Sequence, residues 1–492
     1  MSPWVGAVLL LAGFVVVASR LRLGAASRSA ISLARSSLDT FGAALSDDEK
    51  EAIYRRSAIR LFGFAVRLLA GGAAAVLGPL AILWGADRLG VVSLDEVLAA
   101  AMSPLFLAVS FAAVGAAMWA SRGGAEVGSL YSAADRALYR IAFATRPAQI
   151  ALADVEDRLL KDESDRGGID RPVFISGLPR AGTTLLLGML ADLDEFAAHS
   201  YRDMPFVLTP YLWSRFSGRF HKPGELRERA HGDGMLIDYD SSEALEEVIW
   251  KVFWKAHYAK DRIVPWGAGR NEEFEEFFRN HLRKIVRLRS SSPAGEVRYV
   301  SKNNLNIARV RYLKSVFPAA TIVVPYRRPL DQAASMLRQH RNFLAVHEKD
   351  SFAREYMREI GHFDFGRHLK PIDLGGWLED REHADSATVG YWLEYWVAVY
   401  RHLVETSADL VDFCSYDDLC LAPATSLTAL ARTVGCRADR QLTARSASLH
   451  PPHPPTVDDA GIPRSLLDLS EEVFGRLQRQ SINGGSAASP RR

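Results

Sequence analysis

Cysteine is scarce in this 492-residue chain: Cys414, Cys420 and Cys436 are the only three, and no two of them form a C-x-x-C pair. That odd-numbered set excludes a disulfide-stapled scaffold and fits reduced, buried thiols in a reducing compartment. A surplus of charge is missing too. With 60 basic and 58 acidic residues the net charge is +2, so no whole-chain field draws nucleic acid, and nucleic acid is not an expected partner. No internal repeat is visible. Beyond residue 120 there is no apolar run fit to cross a bilayer, and the remainder has the composition of an ordinary soluble domain.

The first 120 residues do carry such runs, at 3–19, 68–84 and 98–120. Each is long enough to span a hydrocarbon core of about 30 Å at about 1.5 Å per residue. Arg20 and Arg22 come after the first run instead of preceding it, so an uncleaved anchor is expected in place of a secretory signal. A buried hairpin of Gly- and Ala-rich helices is the alternative. Arg28, Arg35, Lys50, Arg55, Arg56, Arg60 and Arg67 crowd the first connection, whereas Arg88 stands alone in the second. The positive-inside rule makes the first connection cytoplasmic, and three crossings put everything after Ala120 there as well. The sequence therefore predicts a multi-pass protein of the inner (plasma) membrane, with the lipid bilayer as partner and the catalytic domain in the cytoplasm.

By this reading residues 1–122 form the anchor region with its transmembrane helices, and 123–168 a helical connector broken at Pro147 and ending in the hinge "DESDRGGID". An α/β domain occupies 169–480, and 481–492 is a disordered tail. In the α/β domain apolar strands alternate with helices. Pro172–Ser176 precedes a helix from Thr183, Thr321–Tyr326 one from Leu330, and Asp412–Ser415 one from Ala424, with a further strand at Arg298–Ser301. The alternation predicts an α/β fold, a P-loop-like parallel sheet flanked by helices, with ligands at the carboxyl ends of the strands.

"FISGLPRAGTTLLLGML", residues 174–190, has the strand, turn and helix of a phosphate-binding loop. Gly177 to Gly182 fits the spacing of G-x-x-x-x-G-K-[ST], but Thr183 stands where the lysine belongs. The turn of Pro179, Arg180, Ala181, Gly182, Thr183 and Thr184, at the positive end of the next helix, makes an anion site without that lysine. In nucleotide triphosphatases the lysine reaches the β and γ phosphates, so its absence disfavours a triphosphate. Arg180 supplies a permanent charge instead, and the two threonines supply hydroxyl donors. A second site comes after "TIVVPY": Arg327 at the strand's end and Ser335, eight residues later in "RRPLDQAAS", can converge on one phosphate. Two anion sites on neighbouring strand ends require a ligand with two separate phosphate groups.

At these residues the chain resembles the sulfotransferases that use 3'-phosphoadenosine 5'-phosphosulfate, in particular a bacterial, membrane-anchored branch. "GLPRAGTT" is similar to their 5'-phosphosulfate loop, and "RRPLDQAAS" to their 3'-phosphate motif, with Arg327, Asp331 and Ser335 in register. "SYDDLCLAP", Ser415 to Pro423, resembles a later segment of the bacterial members. The resemblance covers about residues 170–480 and implies a sulfuryl transfer from that donor to a hydroxyl or amine, without a metal. Arg180 would then carry the leaving-group charge, and Lys302, closing "VRYVSKNN", would contact the sulfuryl group. Cytosolic members place a histidine two residues beyond that lysine, where this chain has Asn304.

Another group must take the acceptor proton. In the membrane-associated and bacterial branches that the chain resembles a carboxylate often serves, which points to Asp203 in "SYRDMPF" and Glu243 in "DYDSSEALEEVIW"; burial there would raise the carboxyl pKa towards neutrality. Glu246 and Glu247 fit an exposed helix face. The segment 338–376 mixes aromatics with His340, His347, His362 and His368 and suits an acceptor-side lid, with His340 the one in reach of the acceptor. These histidines lack the partners of a zinc helix, and no metal is expected. The aromatic run "YWLEYWVAVY" from Tyr391 reads as helix core. The anchors suggest a lipid or lipid-linked glycan as acceptor. Two alternatives stay open: a P-loop kinase-like phosphotransferase, and a non-catalytic membrane scaffold with an anion-binding α/β domain.

Overall fold

The computed structural model describes residues 3–21, 47–102, 133–160, 169–217, 227–228, 236–237, 241–267, 269–290, 297–379, 385–449 and 461–484. Two compact units divide the chain, Met1–Val127 and Gly128–Arg492. The first holds helices α1 (Pro3–Arg20), α2 (Asp47–Arg88) and α3 (Leu94–Ala101). Leu83, Val92 and Val97 form its small core. Among the described residues one stretch, Ala70–Arg88 within α2, is long and apolar enough to cross a membrane by length and composition. The run at 3–19 is the 18-residue α1, and most of the run at 98–120 lies outside the described residues. The described residues thus do not support the three crossings expected from the sequence; they hold one candidate span.

In the second unit the connector forms α4 (Ala133–Ala144) and α5 (Arg146–Leu159). Pro147 sits in the first turn of α5, where its missing N–H deprives no carbonyl of a partner. Ion pairs fasten the connector to the α/β domain: Arg146 pairs with Glu359 at 2.9 Å, and buried Lys284 pairs with Asp157 at 2.7 Å and Glu156 at 3.1 Å.

The remaining elements run β1 (Val173–Ile175), α6 (Thr183–Ala191), β2 (Phe196–Ala197), α7 (Pro210–Ser217), a small antiparallel pair β3 (Arg227–Glu228) and β4 (Leu236–Ile237), then α8 (Glu247–Phe253) and α9 (Glu272–Arg289). After these come β5 (Arg298–Lys302), α10 (Val310–Val316), β6 (Thr321–Tyr326), α11 (Pro329–Lys349) and α12 (Ser351–Ile360). The chain then forms α13 (Val389–Thr406), β7 (Asp412–Ser415), α14 (Tyr416–Leu421), α15 (Pro423–Val434), α16 (Asp439–Ala444) and α17 (Arg464–Gln480).

Five of these strands make one parallel sheet in the order β2-β5-β1-β6-β7. Successive side chains of a strand point to opposite faces, and here both faces are covered. Phe174, Tyr299, Ile322, Val324 and Phe413 enter one hydrophobic core with α9, α11, α13 and α17. Val173, Ile175, Val300, Val323 and Cys414 enter the other with α6 and α15. Strand β1 is central, and the chain leaves it first towards β5 and later towards β6. The crevice at such a reversal, outside the carboxyl ends of the strands, is where open α/β sheets bind ligands.

The cysteines are free, Cys414 and Cys420 buried and Cys436 half-buried. One boundary needs correction: Ser481 and Asn483, expected in the disordered tail, dock on the end of β7. Asn483 Oδ1 accepts from Ser415 N at 2.8 Å while its Nδ2 donates to Ser415 O at 2.8 Å. Residues 485–492 lie outside the described set.

Candidate active site

The turn after β1 is shaped by close packing. A Cβ at Gly177 would lie 2.6 Å from the carbonyl oxygen of Pro325, so the loop leaves β1 against the backbone of β6 and only glycine fits. Arg180 adopts a left-handed φ of 70°, which costs an L-residue about 1 to 2 kcal/mol. Gly182 caps α6 with φ 85°, and a Cβ there would lie 2.4 Å from the Tyr416 ring. Thr183, buried, and Thr184, half-buried, open α6, whose first-turn N–H groups and dipole face the crevice.

The second motif stands beside this turn because β6 pairs with β1. Arg327 leaves β6 buried, with Asp331 and Asp417 each 3.9 Å away, and its Nε has no hydrogen-bond partner. Its guanidinium lies 5.6 Å from the centroid of the Tyr416 ring. Ser335 is buried on α11, and Arg180 Nε donates to its Oγ at 3.2 Å. The 177–184 turn and the 327–335 motif therefore touch. Arg338, one helical turn past Ser335, was not singled out from the sequence. Partial burial, then the charges of Arg180 and Arg327, hold its guanidinium below the usual arginine range. Three like charges gathered around one serine favour an anion between them. The three-residue step from Ser335 along one helix face is the signal that would have found Arg338.

Lys302 ends β5 opposite Ile175 of β1, half-buried. The three adjacent strands β5, β1 and β6 thus deliver Lys302, Arg180 and Arg327 to one edge of the sheet.

The carboxylates differ most from expectation. Asp203 is buried, and burial alone would raise its pKa. The hydrogen bond from His199, the charges of His199 and Arg289 and the N–H of Ser200 outweigh that and hold the carboxyl below its usual range. Arg289 lies 2.6 Å from one oxygen and His199 Nδ1 3.0 Å from the other. A carboxylate so paired is a poor base near neutrality, because its charged form is the stabilised one. Glu243 is half-buried, accepts from the hydroxyl of Tyr201 and takes the N–H of Ala244 at 2.8 Å.

Glu246 and Glu247, expected on an exposed face, are buried. Glu246 Oε1 accepts from Tyr299 at 2.7 Å. Glu247 holds Arg309, Asn303 Nδ2 at 2.7 Å and Tyr258. This network fixes the chain just beyond Lys302. Asn304 Nδ2 then donates to Asp364 at 3.0 Å, drawing in the segment after α12. On that segment, burial foremost, together with the Lys302 charge, lowers the pKa of His362 despite the pull of Asp364 and Glu243. Sequence patterning missed His362 as a neighbour of Lys302 and Glu243, because three separate segments meet there.

His340 is committed elsewhere. Its Nδ1 accepts from Gly366 N at 3.1 Å, and its Nε2 lies 3.3 Å from Ser386 Oγ. Burial lowers its pKa. Among the described residues no three His, Cys, Asp or Glu side chains are grouped to hold a metal ion.

Residues 172–370 match the model of a family described as "Sulfotransferase family". Among solved structures the chain is similar to the sulfotransferase STF1 of Mycobacterium tuberculosis H37Rv, at 14% identity and TM-score 0.35, over 75% of this chain and 90% of that one. It is also similar to the sulfotransferase STF9 of Mycobacterium avium, at 13% identity and TM-score 0.41, over 75% and 96%. With TM-scores this low, neither likeness bears on site or function. No curated protein matches the chain.

Proposed function

We propose that this chain, whose residues 172–370 match the model of a sulfotransferase family, transfers a sulfuryl group from 3'-phosphoadenosine 5'-phosphosulfate to a hydroxyl or amine. The carrying observation is the 3.2 Å contact between Arg180 and Ser335, which joins two anion-binding motifs into one elongated cradle with the charges of Arg327 and Arg338 beside it. A nucleotide with a phosphate on each side of its ribose matches that cradle; a triphosphate, with all its charge at one end, does not.

In the proposed reaction the acceptor oxygen or nitrogen attacks sulfur in line, the bond from sulfur to the phosphate oxygen breaks, and adenosine 3',5'-bisphosphate departs. Arg180 and the N–H groups at the start of α6 meet the charge that develops on the leaving phosphate, and Lys302 meets the sulfuryl oxygens. Glu243 takes the acceptor proton. It shares its surroundings with Lys302 and His362, whereas Asp203 is held ionised by Arg289 and His199. No metal enters this reaction scheme.

Membrane attachment belongs to the same proposal, with the catalytic domain on the cytoplasmic side and a lipid or lipid-linked glycan as acceptor. Its support is the candidate span in α2, along which Leu77, Ile82 and Trp84 are exposed. Apolar side chains exposed along one helix suit lipid better than water.

Calorimetric titration with adenosine 3',5'-bisphosphate tests the donor site. Tight binding is expected. Arg180→Ala and Arg327→Ala should each weaken it by about ten- to a hundredfold, the effect of losing a hydrogen bond to a charged group. Parent-like binding by both variants would overturn the site. Labelling of an acceptor from ATP would instead favour the kinase-like alternative.

A further inference from the structure

Gln332 lies fully buried near the start of α11, between the two motifs, and is not itself one of the anion ligands. Its Nε2 donates to the carbonyl oxygens of Leu178 at 3.2 Å and Pro179 at 3.1 Å. Its Oε1 accepts from the backbone N–H of Arg327 at 3.1 Å and from Trp396 Nε1 at 3.0 Å. Partner chemistry fixes which end of the amide is which, because carbonyls only accept and the two N–H groups only donate. A flipped amide would set donor against donor and acceptor against acceptor. Tyr400 closes the arrangement, donating to Pro325 O at 3.0 Å. Trp396 and Tyr400 come from the aromatic run of α13, and both are buried.

One side chain therefore grips the backbone that leads into Arg180 and, through its other atom, the backbone that carries Arg327. We propose that Gln332 is a positioning residue that couples the two anion cradles, so that occupying one tightens the other. This rests on the donor-site reading above. The physical reason is preorganisation. The turn holds Arg180 at an unfavourable φ, and Arg327 is a buried charge whose Nε has no hydrogen-bond partner, so both segments are costly to hold in place. A buried amide with its donor and acceptor positions filled makes each segment rigid only when the other is in place, and rigidity shared by two sites appears as positive coupling between their ligands.

The test compares three ligands on the full-length protein in detergent: adenosine 3',5'-bisphosphate, adenosine 5'-monophosphate and adenosine 3'-monophosphate. Gln332→Met keeps the volume and removes the hydrogen bonds. It should lower bisphosphate affinity by about tenfold, while each monophosphate, which engages one cradle, loses less than about threefold. Trp396→Phe removes one N–H from the amide and leaves every loop contact, so it should show the same pattern more weakly. It decides the matter alone if Gln332→Met does not fold. Equal weakening of all three ligands would mean a merely structural role, and unchanged bisphosphate affinity in a folded variant would mean no role; either overturns the proposal. A parent protein that fails to bind the bisphosphate would instead overturn the donor-site reading, and the coupling with it.

Discussion

On the proposed donor side, Arg180, Thr183, Arg327 and Ser335 come from two strand-turn-helix units, each local in sequence. On the proposed acceptor side, Glu243, Lys302 and the segment of His362 and Asp364 come from separate parts of the chain; the buried pair Glu247 and Arg309 fixes the chain beside Lys302, and Asn304 ties in Asp364. A turn held by its own strand and helix survives the loss of any single ligand side chain. A site assembled across the chain by buried charge depends on every partner being present. The donor side should therefore lose binding without losing stability, and the acceptor side should lose turnover or stability without losing donor binding.

The sharpest separation is expected from Glu243→Gln. Removing a general base costs about 10²- to 10⁴-fold in turnover. The donor cradle is untouched, so affinity for adenosine 3',5'-bisphosphate should stay within about twofold of the parent, as no cradle contact is lost. Turnover at the parent rate would assign the proton to another group, and His362 is the one already beside Lys302.

Glu247→Gln should come next, and it acts on stability. The Arg309 guanidinium is fully buried, stacked 3.9 Å from the Trp250 centroid and 4.7 Å from that of Trp266, and its pairing charge comes from Glu247. Breaking one partner from a buried ion pair costs about 3–5 kcal/mol, because the other charge is left uncompensated. Urea denaturation should show that loss, while the folded protein binds the bisphosphate as before. A fall in donor affinity by the same factor would erase the distinction between the two sides.

The same contrast explains what the sequence disclosed. Strand and turn patterns are local, so β1, β6 and β7 and the anion-binding turns at 177–184 and 327–335 were legible from residue type and spacing. Edge strand β2 was not, since Phe196–Ala197 is too short for alternation to register. The acid pair Glu246 and Glu247 looked like a solvated helix face. Nothing nearby in sequence announces the tyrosines, asparagines and arginine that bury them. Asp203 reads as a base because burial raises a carboxyl pKa; the hydrogen bond and charge of His199, with the added charge of Arg289, 86 residues away, reverse the sign. Gln332 occupies an unspecified position inside a motif, and its hydrogen-bond partners, the Tyr400 hydroxyl at 3.5 Å among them, lie on three different segments. Long-range pairing decides those roles, and one sequence does not display it.

The smallest expected effect concerns the segment that carries His362 and Asp364. It is fastened to α11 by two imidazoles that accept backbone N–H groups, His340 from Gly366 and His347 from Arg367, each at 3.1 Å. An imidazole accepting through Nδ1 must be unprotonated there, unless the bond breaks. Burial foremost, then the charges of His368, His362, Arg354 and Arg367, holds His347 down to about 4. The unfolded chain, titrating near 6.5, binds the proton first. Stability contributed by neutral His347 is therefore fully present above about pH 6.5 and is lost as pH falls towards 4. Below 4 both states are protonated and the loss stops growing. Solvent near the segment screens the effect to about 1 kcal/mol. His347→Gln keeps an acceptor for Arg367 but cannot titrate, so its urea midpoint should fall less between pH 7 and pH 4.5 than the parent's. The downward-shifted His340, His362 and His368 act in the same direction and leave a residual slope. Affinity for the bisphosphate should track this acid loss weakly, because no histidine lies among the donor ligands. An equal fall in both quantities would tie this segment to the cradle and merge the two sides into one cooperative unit.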